Sequence, residues 1–154
     1  MKKFICILLL LLIFIFYSKS YAISLIEEAL SHRGKPYIYT AVGPKAFDCS
    51  GFVYFCVYEV YGIKLPHSAY EQGYEDSYFK IETIEELQPG DLVFFNTIPD
   101  KDLSDHAGIY IGSNQFIHAS SSQEKIIISD LSKGYYNEVF SWGRRIEEGY
   151  NEPY

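Results

Sequence analysis

Positive charge is scarce in this 154-residue chain: 13 lysines and arginines stand against 20 aspartates and glutamates, a formal net charge of −7. That balance argues against a nucleic-acid partner, because neutralising phosphates takes clustered Lys and Arg. It also disfavours tight electrostatic adhesion to anionic lipid. Cysteine is scarce too. Cys6, Cys49 and Cys56 are the full set, too few for a disulfide-stapled scaffold. Internal repeats, low-complexity tracts and linkers are missing. One long apolar run exists, Phe4 to Tyr17, and its 14 residues fall short of the ~18 or more that a spanning helix needs.

That run has Lys2 and Lys3 before it and Ser20-Tyr21-Ala22 after it, the order of a secretory signal with small residues at the cleavage site. Residues 1–22 are expected to be the signal and 23–154 a single catalytic domain. The mature protein is then exported, periplasmic or secreted, with no stable membrane insertion after cleavage. Losing Lys2, Lys3 and Lys19 takes the formal charge from −7 to −10. Cys6 leaves with the signal. Cys49 and Cys56 remain, seven positions apart. On one helix their Cα atoms stand ~10 Å apart, beyond the ~7 Å reach of a disulfide. A free cysteine in an exported protein needs another reason to exist.

Aromatic residues are abundant, with 15 tyrosines and 11 phenylalanines, enough apolar area for one compact core. Helical spacing of Leu25, Ile26, Ala29 and Leu30 predicts a first helix capped by Ser24. His32 is expected at its exposed end. The run Phe52 to Tyr61 follows Asp48-Cys49-Ser50-Gly51 and stops at Gly62. It is apolar on almost every side, which predicts a buried central helix with Asp48 as N-cap. A short helix is expected over Ser68 to Gly73. Strands are expected at Asp91–Phe95, His106–Ile111, Gln115–Ala119, Lys125–Ser129 and Val139–Ile146, divided by Gly, Pro and Asn turns. Helices first and consecutive strands after give an α+β class with an antiparallel sheet of about five strands.

A thiol is a strong nucleophile only as thiolate, and a helix N-terminus or a neighbouring imidazolium lowers its pKa. Cys49 sits in the first turn of the central helix, where free N–H groups carry partial positive charge and can also hold an oxyanion. Cys56, mid-helix between Phe55 and Val57, reads as a small core residue. His106 opens a strand and His118 lies on the next. Folding that hairpin about Ser113 places His118 opposite Gly108 and diagonal to His106 on one face. His106 is then placed to take the thiol proton and His118 to orient its other ring nitrogen. Two histidines alone fall short of the three or four ligands of a zinc site, so neither metal nor cofactor is expected.

Phe47-Asp48-Cys49-Ser50-Gly51-Phe52-Val53 resembles the nucleophile motif of the NlpC family of bacterial cell-wall cysteine peptidases. The order continues with Gly34-Lys35-Pro36-Tyr37 upstream, then Leu65-Pro66-His67-Ser68 with Gln72, then Pro89-Gly90-Asp91-Leu92-Val93-Phe94-Phe95. His106-Ala107-Gly108-Ile109-Tyr110-Ile111-Gly112 and Phe116-Ile117-His118-Ala119 close the series. The resemblance spans about Leu25 to Arg144. It implies a papain-like core and hydrolysis of peptidoglycan stem peptides, typically between D-γ-glutamate and a diamino acid. By position it makes Cys49 the nucleophile, His106 the base and then the acid, and His118 the orienting residue. Tyr37 matches a tyrosine near the oxyanion. Asp48 and Ser50 match residues that help hold the free amino end of a stem peptide. On the residues alone, Tyr37 equally suits the core and Asp48 a plain helix cap.

The chain departs from the family pattern at Tyr39-Thr40-Ala41-Val42-Gly43-Pro44, where a glycine pair is usual, and at His67, where arginine is usual. With no attached wall-binding region evident, selectivity falls to the catalytic domain or to a wall-targeting or inhibitor protein not identifiable from the sequence. Two other functions compete. One is an amidase or acyl transferase using the same chemistry on a different amide or ester. The other is an inactive wall-binding or scaffold protein, which the three competent catalytic positions argue against.

Overall fold

The computed structural model describes residues 24–98 and 104–146; the expected signal, residues 1–22, lies outside them. Residues 24–31 form a helix (α1). Next come α2 (Cys49–Tyr61), α3 (Ala69–Tyr74), β1 (Phe79–Ile81), a 3-10 turn (Ile84–Glu86), β2 (Leu92–Phe95), β3 (His106–Gly112), β4 (Gln115–Ser120), β5 (Lys125–Asp130), α4 (Tyr135–Glu138) and β6 (Phe140–Arg145). The strands form one antiparallel sheet in the order β1-β6-β2-β3-β4-β5. The α+β class therefore stands, with six strands instead of about five. The added strand, β1, has three residues, two of them exposed, too short to show alternation in sequence.

The central helix has the boundaries its sequence dictates. Asp48 is extended and its side chain accepts from the Gly51 N–H at 2.7 Å. Gly62 ends the helix at φ +72°, a left-handed conformation that glycine adopts without a Cβ penalty. Phe52, Val53, Cys56 and Val57 face the sheet and are fully buried. The helix is less enclosed than its composition predicts. Tyr54 and Tyr58 stack on its outer side and Tyr58 is exposed, because a phenol covers apolar surface while leaving its hydroxyl in water.

Strand β2 reads Leu-Val-Phe-Phe and is buried at all four positions. A strand covered on both faces needs no polar alternation. Leu92 and Phe94 join the cluster beneath α2. Val93 and Phe95 face the opposite side with Tyr110, Phe116 and Leu131, where Tyr136 of α4 packs on them. Burying side chains of this size stabilises by roughly 1.5–3 kcal/mol each. Trp142 Nε1 and Arg144 Nε both donate to the Gly73 carbonyl, at 2.8 and 2.7 Å, and so fasten α3 to β6. Among the described residues no helix is long and apolar enough to cross a membrane.

Candidate active site

Cys49 is the first residue of α2, and its position is fixed by the groups around the helix start. The Asp48 Oδ1 accepts from Gly51 N at 2.7 Å and Ser50 Oγ at 3.2 Å, while Oδ2 accepts from Thr40 N at 2.8 Å. The Asp48 N–H donates to the Ala41 carbonyl. The helix end is thereby tied to the 37–47 loop. A Cβ on Gly51 would run into the Ala41 carbonyl oxygen, so only glycine permits this approach. Buried Ser50 turns its hydroxyl to the His67 carbonyl at 3.0 Å. Fully buried Gln72 donates to the Ser50 and Pro66 carbonyls at 3.0 and 2.8 Å.

The sulfur of Cys49 lies 3.9 Å from the Asp105 carbonyl oxygen and accepts from the Ala107 N–H. These two groups bracket His106, the first residue of β3. The β3–β4 register pairs Ile109 with Ile117 and Tyr110 with Phe116. Gly108 therefore falls opposite His118, which stands diagonal to His106 as the sequence predicts. The imidazoles meet, His106 Nε2 to His118 Nδ1, at 2.8 Å. His118 Nε2 stands 2.9 Å from Ser129 Oγ on β5. Nδ1 is the ring nitrogen of His106 left for the thiol. One tautomer set satisfies every contact: His106 Nε2–H donates to His118 Nδ1, and His118 Nε2–H donates to Ser129.

The electrostatics correct one expectation. Burial, reinforced by the charge of Asp48, pushes the Cys49 thiol up to about 11, although N–H groups of Ala107, Ser50 and Cys49 pull the other way. Burial pushes His106 down to about 4 against the opposing charge of Asp105. His118 is held well below its usual range by burial and then by His106. The resting pair is therefore a neutral thiol beside a neutral imidazole. The helix terminus favours the thiolate by only ~0.3–1 kcal/mol at ordinary exposure, and desolvation outweighs it here.

Tyr37 is half-buried, and its phenol is raised by burial and then by the charges of Cys49 and Asp48. Its N–H donates to the Glu124 carbonyl at the start of β5. Cys49 and buried Cys56 are both free. His67 is exposed, its ring centroid 4.9 Å from that of Tyr54. His32 differs from expectation. It is 5% exposed, bonded to Glu28 and Lys35 at 2.7 Å each and packed on Phe47 and Phe55. Those two partners sit at helical spacing on either side of it, and they satisfy both ring nitrogens of a histidine the core can then accept.

Sequence reasoning missed two residues. Ser129 was findable, since the β4–β5 register pairs Phe116 with Ser129 and His118 with Ile127, leaving Ser129 diagonal to His118. Tyr136 left no signal, because α4 has four residues and no side-chain cap. Its ring stacks on His106 at 6.0 Å between centroids and meets His118 edge-on at 5.0 Å.

Known proteins resemble this chain in sequence and fold. The NlpC/P60 family profile matches residues 34–145. Murein DD-endopeptidase MepH of Escherichia coli is 36% identical over 121 residues, 78% of this chain and 44% of that protein. A gamma-DL-glutamyl hydrolase of Bacillus subtilis is 36% identical over 126 residues, 81% of this chain and 29% of that protein. The chain thus spans less than half the length of either relative. An NlpC/P60 family protein from Bacillus cereus superposes with a TM-score of 0.70 at 31% identity, covering 80% of this chain and 39% of that one. Motif order, the Cys-His-His array and these matches agree: the chain belongs to the NlpC/P60 family.

Proposed function

We propose that the protein is an exported cysteine endopeptidase that hydrolyses peptidoglycan stem peptides at the D-γ-glutamyl–diamino acid bond. The observation that supports the reading is the placing of Cys49 against Asp105 and Ala107, the two neighbours of His106, together with the hydrogen-bonded contacts from His106 to His118 and from His118 to Ser129. Cys49 Sγ attacks the carbonyl while His106 Nδ1 takes its proton. N–H groups at the start of α2, with Tyr37 beside them, face the developing oxyanion. His106 then gives the proton to the leaving amine, and water, activated by the same nitrogen, releases the acyl group. Ser129 and His118 are positioning residues that hold the base in its working tautomer.

Asp48 and Ser50 are mainly structural. Their polar atoms are engaged in the helix cap and the His67 contact, although Asp48 Oδ2, with one donor, retains acceptor capacity for the free amine of a stem peptide. The names of the relatives point to two bonds, a DD cross-link and a γ-glutamyl link. A digest of purified peptidoglycan and of free stem peptides, read by mass spectrometry, separates them. Fragments split between D-glutamate and the diamino acid, lost in Cys49→Ala, are expected. Cleavage at the DD cross-link alone would move the assignment to that bond. A folded protein with a reactive Cys49 that cuts neither would favour a different amide or ester.

A further inference from the structure

A groove of about 580 Å³ runs along β5 between Tyr136 and the α1 end of the chain, with Arg33, Ser122, Gln123, Lys125 and Ser129 among its lining residues. Two of its residues belong to the catalytic surroundings: Ser129 bonds His118 and Tyr136 stacks on His106. No carboxylate lines it. In a chain of net charge −7, two cations facing one groove without an acid are a local reversal of sign. Arg33 and Lys125 are both exposed and neither forms a salt bridge among the described residues.

Reaction geometry says which part of a substrate passes here. His106 protonates the leaving amine, so that amine must lie on the histidine side of the sulfur. The chain continuing from the amine then runs toward β5, where Ser129 and Tyr136 line the groove. The β5 edge adds a second feature. Ile126 uses both its backbone groups outward, donating to Lys35 O and accepting from Gly34 N. Antiparallel pairing alternates, so Ile128 turns its N–H and C=O to the same side, past the last of these bonds. That leaves backbone groups beside the groove to meet an extended peptide.

We propose that this groove is the binding site for the leaving half of the substrate, with Arg33 and Lys125 holding carboxylates of the diamino acid. The inference rests on the peptidoglycan reading and names the substrate chemistry on one side of that same site. A wall whose diamino acid is amidated, or carries no side-chain carboxylate, is then the poorer substrate.

The test uses L-Ala-γ-D-Glu-diaminopimelate and its counterpart with the diaminopimelate carboxylates amidated. Binding of each to the Cys49→Ala protein is measured by calorimetry, in the parent and in an Arg33→Met/Lys125→Met background. Exposed charge contacts of this kind predict about a fivefold preference for the carboxylate form, abolished in the double variant and by high salt. No preference in the parent, or a preference that survives the double variant, overturns the proposal. Folding of the variants is checked by circular dichroism, and Lys125→Arg with Arg33→Lys should restore the preference. Should the active protein cut neither peptide, the peptidoglycan reading fails by itself, and the binding ratio still decides the groove.

Discussion

Acid should destabilise this protein through His106. An imidazole ordinarily titrates near 6.5, and burial lowers His106 to about 4. Between those values the unfolded chain takes up a proton that the folded chain refuses. Stability from this group is therefore fully present above the unfolded value and falls as pH drops toward the folded one. The fall from 6.5 to about 4 corresponds to about 3 kcal/mol. That is a large share of the ~5–15 kcal/mol typical of a domain. His118, lowered in the same direction, adds to the effect. The assay is urea unfolding, followed by circular dichroism, at about pH 7 and about pH 4. His106→Gln is run beside the parent, because glutamine stays neutral throughout and both proteins share the same carboxylates. The parent should lose about 3 kcal/mol more than the variant over that interval. Equal losses would refute the reasoning and mean that the part-exposed imidazole keeps its ordinary pKa in the fold.

The neutral thiol makes a second expectation. Iodoacetamide labelling of Cys49 should be slow near neutral pH and climb steadily toward the thiol's value of about 11; a rate already flat from about pH 5 would indicate a preformed thiolate pair. Ser129→Ala should lower kcat about tenfold, with any change in KM smaller, since it frees the tautomer of His118; an unaltered kcat would remove Ser129 from the array. Gly51→Ala should destabilise by about 1–3 kcal/mol through its clash with the Ala41 carbonyl and cut turnover, both read from unfolding curves and peptide hydrolysis. Cys56→Ser should cost stability by about 1–3 kcal/mol, because a hydroxyl replaces a fully buried thiol, while hydrolysis at saturating peptide stays near the parent's.

The parts of the fold readable in advance were those with local, redundant signals. Asp48 before the aromatic run and Gly62 after it marked both ends of α2. The Gly112-Ser113-Asn114 turn set a register that carried His118 to the right face, where a one-residue slip would have sent it away. Features without a local period stayed hidden. Strand β1 and helix α4 are too short for periodicity, and Tyr136 owes its place to packing on Phe95 and Phe116. The burial of His32 depends on four partners, Glu28, Lys35, Phe47 and Phe55, meeting at once. The direction of the Cys49 shift was misread because sequence shows the helix end but not how much water the fold removes from the sulfur.

The Cys49 thiol, held beside Asp105 and Ala107 with its pKa raised, has a consequence for durability. Oxidants attack thiolates far faster than thiols, and each step beyond the sulfenic acid is hard to reverse. A nucleophile that ionises only as a peptide carbonyl reaches it spends its idle time in a chemically quiet form. A thiol kept in that form between turnovers offers less thiolate to oxidants than one ionised at rest.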